Sequence, residues 1–280
     1  MPAITIAIVL ANLAFTYQGF RDRYFFARYD FHIEPILRLR DYRRLVTSGF
    51  LHVNWVHFLF NMFALYSFSI SVLYILGTVR FLIVYFGSLL AGNLLSLYIH
   101  RNHMGYRAVG ASGAVAGVIF SSIVLFPQGE IGMLFIPVGI PSWLFGILFV
   151  LVSIFGISSR LGNVGHGAHL GGALCGLFLT LLIKPMEYPV NALLVITITI
   201  PGFAYIAWIV RREGAPRFGI SFREWYRAQS EKRRAHEEEA IQKELDRLLE
   251  KVNEQGINAL SDWERKRLHE ISERRKKNRR

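Results

Sequence analysis

From Leu45 to Val210 the sequence carries only two acidic residues, Glu130 and Glu187, while apolar runs of about 20 residues follow one another with short breaks. A bilayer core of ~30 Å takes about 20 apolar residues to cross as a helix, and each backbone N–H and C=O inside it must be bonded within the chain. The pattern therefore implies a polytopic bundle of membrane helices and excludes a soluble globular domain over this region. Hydrophobic residues make up 52% of the 280, with 14% aromatics. The net charge of +12 divides as +6 on residues 1–210 and +6 on 211–280, so basicity says little about the membrane part. The single cysteine, Cys175, excludes an intramolecular disulfide.

Seven runs are long enough to cross, at about 3–17, 53–76, 79–99, 108–126, 131–155, 164–183 and 190–210. The first lacks a positive n-region and a small-residue cleavage pattern, and reads as a retained span. The segment after it mixes aromatics with arginines and belongs at the headgroup level, with His32 structural. The fifth run carries Pro137, Pro141, Gly139 and Gly146 and is expected to be a bent, moving span. His100 and His103 read as interfacial residues without a role. The seventh run, with a kink expected at Pro201-Gly202, reads as carrying no chemistry.

Composition turns soluble after Val210. The pattern predicts a charged helix at about 222–252, a break at Gly256, and a second helix capped by Ser261 with Glu264. Ile241, Leu245, Leu248 and Val252 form a stripe expected to pack against Ile257, Leu260, Leu268 and Ile271 as a helical hairpin. The terminal RRKKNRR fits anionic headgroups better than nucleic acid. What the tail binds is not written in it.

Unusual polar residues gather at the starts of the even-numbered spans. Ser112 stands in VGASGAVAG, His169 in GHGAHLGGALCG, and His52, His57 and Asn61 in HVNWVHFLFN. Gly110 and Gly113 leave the serine hydroxyl and N–H open to a second chain. Gly172 and Gly176, four apart, offer a helix face for close approach, as do Gly113 and Gly117. Alternate spans run in the same direction, so these starts share one membrane face. A serine becomes a nucleophile when an imidazole takes its proton, so Ser112 and His169 in contact would form a minimal hydrolase, with His57 and Asn61 as oxyanion donors. With no carboxylate near, the arrangement implies a dyad rather than a triad. Two plainer readings stand beside it. Glycine-rich packing alone accounts for GASG, and His52/His57 or His166/His169 have metal-ligand spacing, although without the glutamate of an H-E-x-x-H site.

The three motifs in this order resemble those of the rhomboid intramembrane serine proteases, over roughly residues 1–185. The resemblance implies an all-α polytopic membrane bundle: a six-span catalytic domain at 1–186 and an extra span at 187–211. A linker at 212–221 and a basic soluble helical hairpin at 222–280 would follow, similar to a module of bacterial members. It implies Ser112 as nucleophile and His169 as general base and acid. His57, Asn61 and Gly110 would line the oxyanion and substrate site, supported by His52, Arg44, Gly113, Gly172, Gly176 and His166. No metal and no cofactor are implied. The partners would be transmembrane protein substrates and the lipid bilayer, with no nucleic acid, in a multi-pass protein of the cell (inner) membrane. An inactive relative that binds membrane helices, or a histidine-based metal-binding membrane protein, are the alternatives. The chain departs from the family in having Arg43 where a tryptophan usually precedes Arg44. It also has Ala116 where some relatives stack a tyrosine on the catalytic histidine. Parity of seven crossings puts the tail on the face of Ser112.

Overall fold

The computed structural model describes residues 3–133, 136–159, 164–185 and 192–213 of the membrane part, and 241–242, 244–254, 256 and 259–278 of the tail. The chain divides into two compact units, 1–218 and 219–280. The membrane unit is helical: α1 (Ala3–Arg21), α2 (Arg23–Tyr29), α3 (Ile33–Arg38), α4 (Arg44–Thr47), α5 (Trp55–His100), α6 (Ser112–Leu125), α7 (Ser142–Ser159), α8 (His166–Ile183) and α9 (Ala192–Glu213). Among the described residues α1, α5, α7, α8 and α9 are long and apolar enough to cross a membrane, and α6 is a shorter apolar helix. The chain is a multi-pass membrane protein.

Although α5 is 46 residues long, it is two passes. Gly77 leaves the helical region at φ 74°, ψ 171° and breaks the run. Each half is long enough, at 1.5 Å per residue, to cross a ~30 Å core. The second half returns to the starting face, where Asn93 Nδ2 donates to Leu45 O at 2.8 Å and to Ser48 Oγ at 3.2 Å, just ahead of the start of α5.

The centre of the bundle is the contact of α5, α6 and α8. Lipid tails are as apolar as leucine, so helices in a membrane associate through close packing rather than through water exclusion. Glycine makes that packing possible here. A Cβ on Gly172 would overlap the Gly113 carbonyl, and one on Gly176 would overlap the backbone of Gly117. The two glycine-faced helices therefore touch backbone to backbone. Phe81, Tyr85 and Phe120 fill the layer around this seam and are fully buried.

The segment before α5 folds into short helices tied to the loop after it. Strand β1 (Phe31–His32) pairs antiparallel with β2 (Arg107–Ala108). Arg44 is buried and organises the corner. Its Nη1 donates to Ala27 O at 2.9 Å and Asp30 Oδ1 at 2.6 Å, and its Nε to Asp41 Oδ2 at 2.9 Å. Removing one partner of a buried pair costs about 3–5 kcal/mol, which makes Arg44 a structural residue.

The fifth span differs from its sequence-based expectation. Its first described residues are not helical: β3 (Glu130–Met133) and β4 (Ile136–Pro141) form an antiparallel pair, and the helix begins only at Ser142. Proline lacks the N–H a helix interior needs, so Pro137 and Pro141 stop the helix rather than bend it. Ser142 closes the hairpin, its N–H and hydroxyl both donating to Gly129 O, at 2.9 and 2.6 Å. By contrast α9 carries Pro201 inside a continuous helix.

In the tail, the helix at 244–254 is followed by the helix Asp262–Asn278. Leu245, Leu248, Leu260 and Ile271 are buried within this unit. Ser261 and Glu264 form a reciprocal capping box: Ser261 N–H donates to Glu264 Oε2 at 2.8 Å, and Glu264 N–H to Ser261 Oγ at 3.2 Å. Residues 214–240, Ile257 and the two terminal arginines lie outside the described residues, as do the expected linker and most of the first charged helix.

Candidate active site

The chain expected to enter a helix near Ala108 does so only at Ser112, and the reason is local. Gly110 sits at φ +139°, a backbone state that side-chain-bearing residues rarely adopt and that a helix cannot continue through. Ser112 is thus the first residue of α6, where backbone N–H groups lack intrahelical partners and the helix dipole favours negative charge. Gly110 is required a second way. A Cβ there would stand 2.7 Å from His57 Cε1 and 3.1 Å from its Nε2. Its own N–H is committed to Ser48 O at 3.0 Å, so Gly110 contributes the space it leaves rather than a donor.

His169 lies in the first turn of α8, and its Nε2 is 2.8 Å from Ser112 Oγ. The glycine seam sets that distance, since Gly113 also faces the Ala168 carbonyl, where a Cβ would stand at 3.1 Å. His57 lies in the first turn of α5 and Asn61 one turn later; the helix is capped by Asn54, whose Oδ1 accepts from His57 N–H at 2.8 Å. Asn61 Nδ2 donates to His57 O at 2.9 Å, which commits one of its two amide hydrogens. His52 is fully buried behind this pair. Its Nδ1 is 2.9 Å from Thr16 Oγ1, and its ring meets that of His57 edge-on with centroids 5.0 Å apart.

Ser112, His169, His57, Asn61, Gly110 and His166 all line one cavity of about 1270 Å³. His52 and Arg44 stand outside it. His166 packs against α7 at Gly156, where a Cβ would overlap its ring. Among the described residues no three His, Cys, Asp or Glu side chains are placed to hold a metal ion.

Against known proteins, residues 39–186 match the Rhomboid domain model, a little over half of the chain. The chain belongs to the rhomboid family. Similar proteins include the yeast (Saccharomyces cerevisiae) "Rhomboid protein 1, mitochondrial", 34% identical over 135 residues, which cover 47% of this chain and 39% of the yeast protein. The rat (Rattus norvegicus) "Presenilin-associated rhomboid-like protein, mitochondrial" is 32% identical over 141 residues, 48% of this chain and 36% of the rat one. A rhomboid protein of Bacillus subtilis is 34% identical over 141 residues, 50% of this chain and 65% of the other. The chain thus spans well under half the length of the yeast and rat relatives. Residues 230–274 of the tail match a family of unknown function (DUF6576).

Three features of this rhomboid site are not legible as chemistry in the sequence. His100 and His103, read as interfacial, line the cavity, and His100 stacks on Tyr106 with ring centroids 3.7 Å apart. The seventh run, read as inert, supplies a wall: Tyr205, Trp208, Ile209 and Arg212 of α9 line the same cavity. Tyr205 Oη is 2.9 Å from Ser158 Oγ of α7, and Arg212 lies over the Trp208 ring at 5.2 Å. Finally, two rings flank His169 in this rhomboid: Phe149 of α7, with its centroid 5.8 Å away, and His166 of its own helix, edge-on at 6.1 Å. A phenylalanine in an apolar span carries no sequence signal that separates it from its neighbours.

Proposed function

We propose that the chain is an intramembrane serine endopeptidase, hydrolysing peptide bonds in or near the transmembrane helices of other membrane proteins, in the cell (inner) membrane. The observation that carries this reading is the 2.8 Å separation of His169 Nε2 and Ser112 Oγ, at the starts of two helices that face one open cavity. Ser112 Oγ attacks the scissile carbonyl carbon while His169 Nε2 takes the hydroxyl proton. Charge develops on the carbonyl oxygen, met by the Ser112 N–H at the α6 N-terminus and by His57 and Asn61. The proton passes from His169 to the departing amine as the C–N bond breaks, leaving an acyl ester on Ser112. Water, deprotonated by the same nitrogen, releases the carboxylate product and restores the serine. A substrate helix must unwind to present its carbonyl, because its backbone groups are otherwise bonded to each other.

The test uses the purified full chain in lipid vesicles with a model membrane-helix substrate. Wild type cuts it, and Ser112→Ala and His169→Ala each reduce cleavage to background. Chelators leave wild type unchanged. Activity lost to a chelator and restored by zinc would overturn the dyad reading in favour of a histidine metal site.

A further inference from the structure

We infer that Phe149 is the positioning residue for His169, an aromatic ring delivered from α7 that holds the imidazole plane in line with Ser112; this rests on the dyad reading above. On α6, Ser112, Ala116 and Phe120 recur at four-residue spacing and so share one face. At one end of that row Ser112 meets His169 at 2.8 Å. At the other Phe120 packs against Phe149, with centroids 5.3 Å apart and planes at 62°. Phe149 then reaches His169 itself, with centroids 5.8 Å apart and planes at 40°. One ring therefore spans the row from the level of Phe120 to the level of the histidine. Ala116, between Ser112 and Phe120 in that row, offers only a methyl and is buried, at 2% exposed.

An imidazole in a dyad needs such a support. It turns about two side-chain torsions, and its bond to a serine hydroxyl fixes one nitrogen only. A carboxylate on the second nitrogen is the usual orienting group, and the only acidic residue described between Leu45 and Val210 is Glu130, in β3 beyond the far end of α6. A ring against the imidazole limits its rotation without a charge.

Phe149 is itself held. Phe145, one turn earlier on α7, packs against it at 6.0 Å. The helix α7 is backed by α9, where Ile198 fills the space over Gly146 and Tyr205 meets Ser158. The helix that carries the ring is thus packed against α9 on both sides of Phe149.

The experiment compares wild type, Phe149→Leu, Phe149→Tyr and the double variant Ala116→Tyr/Phe149→Ala, as full chains in lipid. Leucine keeps most of the buried hydrocarbon and removes the ring. Three readings are taken: kcat and KM on the model substrate, the rate at which a fluorophosphonate labels Ser112, and the His169 ring 1H–13C resonance, assigned with His169→Ala. The ring-current shift of that resonance reports the contact whether or not the chain cuts anything. Phe149→Leu is expected to lower kcat and the labelling rate together by about two- to tenfold, the worth of an aromatic pair, with KM unchanged and the ring-current shift lost. Phe149→Tyr retains all three. The double variant, which moves the ring from α7 to α6, recovers the labelling rate and the shift. The inference is overturned if Phe149→Leu keeps the wild-type resonance, or labels at the wild-type rate, or if the double variant folds with the wild-type Tm and recovers neither reading. If wild type neither cuts nor labels while the resonance shifts as described, the protease reading fails and the Phe149 contact stands.

Discussion

Replacing Gly172 by alanine tests the geometry on which the site depends. The new Cβ would lie 2.7 Å from the Gly113 carbonyl carbon and 3.0 Å from its Cα, with the carbonyl oxygen closer still. Carbon atoms in contact settle at about 3.5–4.0 Å, so α6 and α8 must separate by roughly 1 Å at this level. Both partners are backbone, and no side chain can swing aside to relieve the overlap. Ser112 precedes Gly113 by one residue and His169 precedes Gly172 by three, so most of that displacement falls on their 2.8 Å contact. It opens to roughly 3.5 Å or more, past hydrogen-bond reach. A misplacement of that size costs about 10²-fold in rate, and the overpacking costs about 1–3 kcal/mol of stability. The assay is kcat on the model substrate beside a thermal melt in the same lipid. Gly132→Ala serves as the control, since nothing lies within 4 Å of a Cβ there. A Gly172→Ala chain that cuts at the wild-type rate would show that the helix seam does not set the dyad distance.

Two further outcomes are expected. Trp208→Ala removes part of the α9 wall of the cavity, and should raise KM by about three- to tenfold while leaving kcat unaltered; an unchanged KM would put the substrate elsewhere. In the tail, the hydrogen bond from Lys251, then the N–H and hydroxyl of Ser261, draw the Glu264 carboxyl down from 4.5 to about 2. Its folded value lies below its unfolded one, so its support of the second tail helix is fully present above about pH 4.5 and is lost as pH falls towards about 2. A 13C titration of the Glu264 carboxyl with a midpoint near 4.5 would refute the capping-box geometry.

Much of the architecture is written in the order of residues. The scarcity of acid from Leu45 to Val210 requires membrane passes, because a buried charge is too costly there, and Gly77 marks the reversal between two of them. Glycines four apart on two helices require a close seam, and Ser261 with Glu264 announces a helix start that side chains three residues apart can cap by themselves. These are properties of short segments, and any context reads them alike. Tertiary structure decided the rest. Whether the segments Glu130–Met133 and Ile136–Pro141 continue a helix or pair as strands depends on where Ser142 finds Gly129. That the Gly110 N–H is committed depends on Ser48, 62 positions earlier in the chain. That Phe149 rather than residue 116 meets His169, and that α9 walls the cavity, depends on which faces of equally apolar helices turn towards each other. Hydropathy is blind to that choice, because in lipid one apolar face is worth as much as another until shape, at the scale of a single missing Cβ, selects the pair that fits.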